Sequence, residues 1–228
     1  MFDTQALSWL IFLPTFGALA LPLARSDRAA RVLTLVITAL TMLLSFWLYG
    51  AFIDGSSNMQ FEVNLPWAPD LGIYYHLGVD GLSLLLIVLT TVLTFLATLS
   101  SWKSVTTSVR GYYASMLLLL TGMVGVFASL DLFLFYVFWE VMLIPMYFLI
   151  GLWGGPRRIY ASIKFVLFTM FGSLLMLVAL LYLYFEYHAQ TGVYSFDLIS
   201  MYDLNIPGGP QAWLFLAFGL AFAIKIPI

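Results

Sequence analysis

Long apolar runs, separated by short polar stretches, dominate this chain. Seven of them are long enough to cross a membrane as helices: 6–23, 31–53, 82–101, 112–129, 131–152, 160–185 and 213–228. A span needs about 20 predominantly apolar residues, and its backbone must satisfy its own hydrogen bonds, which a helix does. The stretch 54–81 is long and polar, with Pro66, Pro69, Gly72 and Gly78; within it Gly72-Ile-Tyr-Tyr-His-Leu77 reads as a short strand of an outer hairpin. Heptads, low-complexity tracts and internal repeats are absent from the sequence. The pattern predicts an all-α, polytopic membrane protein of about seven transmembrane helices.

The first run has the length and apolarity of a signal peptide, but no basic residue precedes it, and Arg25 and Arg28 follow it. That is the charge pattern of a retained first span with its N-terminus outward. The other charges agree. Of nine Lys and Arg residues, seven lie in alternate short connections: Arg25, Arg28 and Arg31; Lys103 and Arg110; Arg157 and Arg158. The intervening loops hold no basic residue; Asp54, Glu62, Asp70 and Asp80 lie on one, Glu186, Asp197 and Asp203 on the other. The positive-inside rule therefore places the basic loops in the cytoplasm. Trp102, Tyr112, Tyr113, Trp153 and Tyr160 mark inner helix ends, and Trp47, Tyr184, Tyr187 and Trp213 outer ones, as interfacial belts do.

Composition narrows the chemistry. Hydrophobic residues make up 63% of the chain and charged residues 9%, and mean hydropathy is +1.01, against about 25% charge in soluble domains. Without cysteine the chain holds neither a disulfide nor a thiolate-ligated iron–sulfur cluster. His76 and His188 both lie outside the spans, which argues against a membrane-embedded bis-histidine haem, and neither has a partner at metal-ligand spacing. No Gly-rich dinucleotide motif and no nucleic-acid-binding pattern is present.

Three charges remain inside the spans: Glu140, Lys164 and Lys225. Glu140 is nine residues past Asp131, roughly 14 Å deep at about 1.5 Å per residue, near the bilayer midplane. A charge there costs at least ~2.5 kcal/mol on insertion scales and normally marks an ion or proton path. Pro145 lacks the N–H that would bond the carbonyl of Val141, so the helix is free to bend just past the carboxylate. Lys225 is about as deep in the last span, with Pro227 two residues on, which predicts a broken helix beside the ammonium. Discontinuous helices at mid-membrane are where transporters build ion sites. The alternative for Glu140 is a protonated carboxyl hydrogen-bonded between helices as packing, and for Lys225 a buried structural Lys–Glu pair with no transport role. Lys164 stands about a turn inside the sixth span and is equally placed to snorkel toward the basic loop. Asp80 and Asp131 precede helices and read as caps.

Four segments carry a family resemblance: Gly78-Val-Asp-Gly-Leu-Ser-Leu84, Phe138-Trp-Glu-Val-Met-Leu-Ile-Pro145, Leu152-Trp-Gly-Gly155 and Ala223-Ile-Lys-Ile-Pro-Ile228. Together they resemble the antiporter-like, proton-translocating membrane subunits of respiratory complex I, best the subunit M (mitochondrial subunit 4) family, in span order and loop lengths throughout. The resemblance implies the first half of an inverted-repeat antiporter-like fold. Residues 1–111 would be three N-terminal helices with the outer loop 54–81, and 112–228 the start of the first repeat, reaching into its broken seventh helix. Glu140 and Lys225 then match the family's coupled glutamate–lysine pair, and Lys164 a lysine often found on its sixth helix.

The implied role is a non-redox subunit of an NADH- or ferredoxin-linked quinone oxidoreductase in an energy-transducing membrane, expected to be the bacterial inner membrane. No cofactor is expected in this chain. FMN, iron–sulfur clusters and quinone would sit in partner subunits, and homologous antiporter-like subunits would be its neighbours in the lipid bilayer. A multisubunit Na+/H+ antiporter, a membrane-bound hydrogenase and a purely structural scaffold remain open. Family members have about fourteen helices in two inverted repeats. The 228 residues therefore correspond to an input half-channel, expected not to pump without its second half.

Overall fold

The computed structural model describes residues 5–226 apart from 54, 56 and 57; Asp54 of the acidic loop and Pro227 of the expected helix break lie outside the described residues. Six described helical stretches are long and apolar enough to cross a membrane, at or near the expected places. These are α1 (Ala6–Ala20) with a 3-10 turn to Leu23, α2 (Asp27–Ala51), α3 (Gly81–Ser100), α4 (Val109–Ala128), the pair α5 (Leu132–Val141) and α6 (Leu143–Trp153), and α7 (Arg158–Thr191). The seventh, α8 (Gly208–Lys225), is also helical. It falls short of the other six because the polar Gly208-Gly-Pro-Gln start and Lys225 dilute its apolar run.

Helix ends follow local chemistry more closely than hydropathy does. α2 starts four residues before its apolar run because the Ser26 hydroxyl accepts from the Ala29 N–H at 3.2 Å and caps it. α7 runs past residue 185 because Glu186, Tyr187, His188, Ala189 and Gln190 sustain a helix until Gly192, which ends it in the left-handed conformation. At 34 residues it is roughly 51 Å long, well beyond a ~30 Å hydrocarbon core. Its polar end leaves the apolar zone and is held by Gln190, which donates to the Glu186 carboxylate and to the Asn205 carbonyl.

An antiparallel hairpin, β1 (Gln60–Ala68) and β2 (Ile73–Val79), interrupts the otherwise helical architecture; β2 overlaps the strand expected over 72–77 but starts one residue later, since Gly72 belongs to the turn. Gly72 closes its turn at φ 66°, and a Cβ there would lie 2.1 Å from the Tyr194 carbonyl oxygen, so only glycine fits. The hairpin is tied to neighbouring loops by backbone bonds from Leu130 N–H to His76 at 2.9 Å and from Phe196 N–H to Gly72 at 3.1 Å, and those two loops are joined to each other by Leu132 N–H to Phe196 at 2.8 Å. This layer covers one end of the helices. The basic connections meet at the opposite end, where Arg31 donates to the Val105 carbonyl at 2.9 Å and the Trp153 indole to that of Thr107 at 2.8 Å. α4 is the central helix, packing chiefly against α1, α3 and α5, and its Leu117, Leu120, Val124 and Ala128 are fully buried.

Candidate functional site

The fifth span is broken where the sequence predicts it. α5 stops at Val141, Met142 forms a turn, and α6 resumes at Leu143, with Pro145 in its first turn. Proline cannot donate to the carbonyl four residues back, so the ladder opens beside Glu140. The carbonyls of α5's last turn consequently lack helical partners. Glu140 is part-buried, and its Oε1 is buried with no hydrogen-bond partner.

α8 brings Lys225 to this break. Ala221 is fully buried in a cluster with Trp139, Met176 and Leu180, and its small side chain seats α8 against α5 and α7. Helical geometry ends at Lys225, with Ile226 extended at φ −79° and ψ 120°, as expected for the residue before a proline. The Lys225 ammonium donates to the Trp139 carbonyl at 3.1 Å and lies 4.2 Å from the centroid of the Trp139 ring. No ion pair within 4.0 Å joins Lys225 to Glu140. The structure places the Lys225 ammonium against the residue that immediately precedes Glu140.

Lys164 is not brought into this group. It is exposed on α7, 5.9 Å from the centroid of the Tyr160 ring, and no hydrogen bond or ion pair joins it to Glu140. Asp80 and Asp131 are the caps expected of them. Asp80 and Ser83 form a reciprocal capping box on α3. Asp131 accepts from the Leu134 N–H at 2.9 Å and, with its other oxygen, from the Tyr74 N–H at 3.0 Å, so it also anchors the hairpin.

Two features escaped the sequence reading. Trp139 was visible only as the neighbour of Glu140, and nothing in its spacing pointed to a lysine 86 residues away. His76 is a buried residue clamped between Asp197, 2.9 Å from Nδ1, and Glu62, 2.7 Å from Nε2. Glu62, His76 and Asp197 come from β1, β2 and the loop before α8, so no local pattern announces the cluster. His188, by contrast, stacks on Tyr194 with ring centroids 3.8 Å apart. Among the described residues no group of His, Asp and Glu has the arrangement of a metal site.

The clamp should make the hairpin layer pH-sensitive. The Asp197 hydrogen bond raises the His76 pKa above its ordinary 6.5; burial opposes it and the Glu62 bond adds to it. For Asp197, burial pushes the pKa upward, but the bonds with His76 and Ser200 outweigh it and hold the group below its ordinary 3.8. The histidine's contribution is complete below its unfolded pKa and disappears as pH rises through the folded one. The aspartate's is present above its unfolded pKa and is lost as pH falls through the folded one. The tie is therefore tightest between about 3.8 and 6.5. Amide exchange at Phe196 and Leu198, corrected for its intrinsic pH dependence, should quicken on alkalinisation, and His76→Gln should remove that response. Protection unchanged by pH in the wild type would refute it.

Comparison with known proteins points one way. Residues 129–228 match the family model described as NADH:quinone oxidoreductase/Mrp antiporter, transmembrane. The chain is 40% identical over 235 residues to NADH-quinone oxidoreductase subunit M of Escherichia coli (strain K12), covering 97% of this chain and 46% of that relative. Among solved structures, a chain of respiratory complex I from Thermus thermophilus with bound NADH superimposes with a TM-score of 0.81 at 31% identity, over 97% of this chain and 44% of that one. A chain of the Mrp complex from Dietzia sp. DQ12-45-1b gives 0.78 at 19% identity, over 99% of this chain and 24% of that one, a likeness of fold. The chain spans about half the length of the curated relatives it matches.

Proposed function

We infer that this chain, which resembles complex I subunit M in sequence and has the antiporter-like fold of complex I membrane subunits, serves as the input side of a proton-translocating, non-redox subunit. Its work is electrostatic. At ~4 Å and an effective dielectric near ~20, an ammonium–carboxylate contact is worth about 4 kcal/mol, or roughly a thousand-fold in proton affinity. Making and breaking the Glu140–Lys225 contact therefore suffices to load and release a proton. The observation that supports the reading is a carboxylate with an unpartnered buried oxygen at one helix break, next in sequence to the residue whose carbonyl accepts from an ammonium at the end of another helix.

Electron transfer falls to partner subunits that hold FMN, iron–sulfur clusters and quinone, fed by NADH or ferredoxin. The neighbours in the membrane are further antiporter-like subunits. The site is an energy-transducing membrane with the N-terminus outside and the basic loops in the cytoplasm, where the two ends of the fold differ in charge as that orientation requires. Residues 112–228 are the start of the first repeat.

The test is mass spectrometry of what co-purifies with the tagged protein in mild detergent. Flavin- and iron–sulfur-bearing subunits are expected alongside it. A set of small, cofactor-free membrane proteins would replace this reading with that of a multisubunit cation/proton antiporter.

A further inference from the structure

We propose that Trp139 is the second seat of the Lys225 ammonium, its carbonyl and ring face holding the charge while the lysine is away from Glu140. The proposal rests on the Glu140–Lys225 reading above and adds the other end of the lysine's movement. An ammonium in an apolar span needs a partner in every position it occupies. Here it has two from one residue: a carbonyl at 3.1 Å and an indole face at 4.2 Å.

Both partners follow from the local architecture. The carbonyl belongs to the last turn of α5, freed by the break at Met142, and the negative end of that helix faces the cation. The ring is fixed from two sides. It stacks on Phe135 with centroids 5.7 Å apart and meets Phe222 edge to face at 5.6 Å. Phe222 stands one turn before Lys225 on α8, so the same helix places the cation and braces the ring beneath it.

The indole is also 8% exposed, and its Nε1–H has no hydrogen-bond partner. The face, not the donor, is what this tryptophan offers. Cation–π attraction is strongest for tryptophan and grows when the site is dry. Trp139 and Glu140 are consecutive residues about 100° apart around α5, so a lysine pivoting at the end of α8 moves around that helix from one side chain to the other. That makes Trp139 a positioning residue: it handles no proton, but fixes where the proton's carrier rests.

The experiment uses the complete protein in its assembled complex, with tryptophan 139 replaced by a series from mono- to tetrafluorotryptophan. Fluorination weakens the negative ring face while nearly keeping the shape, so a purely structural tryptophan would give a flat series. The rate of proton translocation should fall stepwise by about thirty-fold across the series, the size of a desolvated ammonium–indole contact, with the amount of assembled complex constant. Trp139→Phe should fall between the parent and Trp139→Leu. Lys225→Gln supplies the reference. Loss of translocation in that variant together with a flat fluorinated series overturns this inference and leaves the Glu140–Lys225 reading standing. Normal translocation in Lys225→Gln overturns that reading, and this inference with it.

Discussion

Glu140→Gln in the complete protein should abolish proton translocation, to below about one hundredth of the parent rate, while the complex still assembles. The exchange keeps the volume and most of the shape of the side chain and removes only its charge. Oε1 has no hydrogen-bond partner to lose, so the structural cost is small. The functional cost is large because the charge is what gives the lysine two different environments. Without it, the ~4 kcal/mol difference that separates contact from separation disappears, and with it the roughly thousand-fold swing in proton affinity. Acidification of inverted membrane vesicles during quinone reduction, beside a native gel for assembly, measures both. Parent-level pumping in the assembled variant would sink the scheme.

A large effect on stability should come from Gly125→Ala, a change of one methyl group that touches no charge. α4 crosses α5 through Gly122 and Gly125, three residues apart on one face. A Cβ on Gly125 would lie 2.4 Å from the Phe138 ring, and one on Gly122 would lie 2.4 Å from Cγ of Met142. The closest approach is the same at both sites, but the neighbours differ. Phe138 is a rigid ring buried in the core at 6% exposure, whereas Met142 is flexible and yields. Gly125→Ala should therefore cost about 1–3 kcal/mol, and Gly122→Ala distinctly less. Because Phe138 immediately precedes Trp139 and Glu140, the same substitution should lower translocation per assembled complex. Melting temperatures of the two purified variants decide the ranking, and equal losses would show that the flexibility argument is wrong.

How much of this was legible beforehand depended on how far apart the cooperating residues lie in sequence. The spans were legible because a helix in an apolar medium satisfies its backbone from within, so length and apolarity suffice. The caps at Asp80 and Asp131 were legible for a similar reason: each bonds an N–H three residues ahead. The break after Glu140 followed from one proline. The length of α7 was not legible, since hydropathy sees the membrane boundary and the helix does not end there.

The sequence by itself determined that Glu140 and Lys225 are charges within apolar runs, each followed closely by a proline, because hydropathy and proline chemistry are properties of a single segment. Only the tertiary structure decided that the Lys225 ammonium sits on Trp139 rather than on Glu140, that Lys164 stands apart, and that His76 is held by Glu62 and Asp197. Each of these is set by how separate helices and loops pack. A contact across 86 or 121 residues depends on small buried side chains such as Ala221 and on backbone bonds between loops, which leave no periodic trace along the chain.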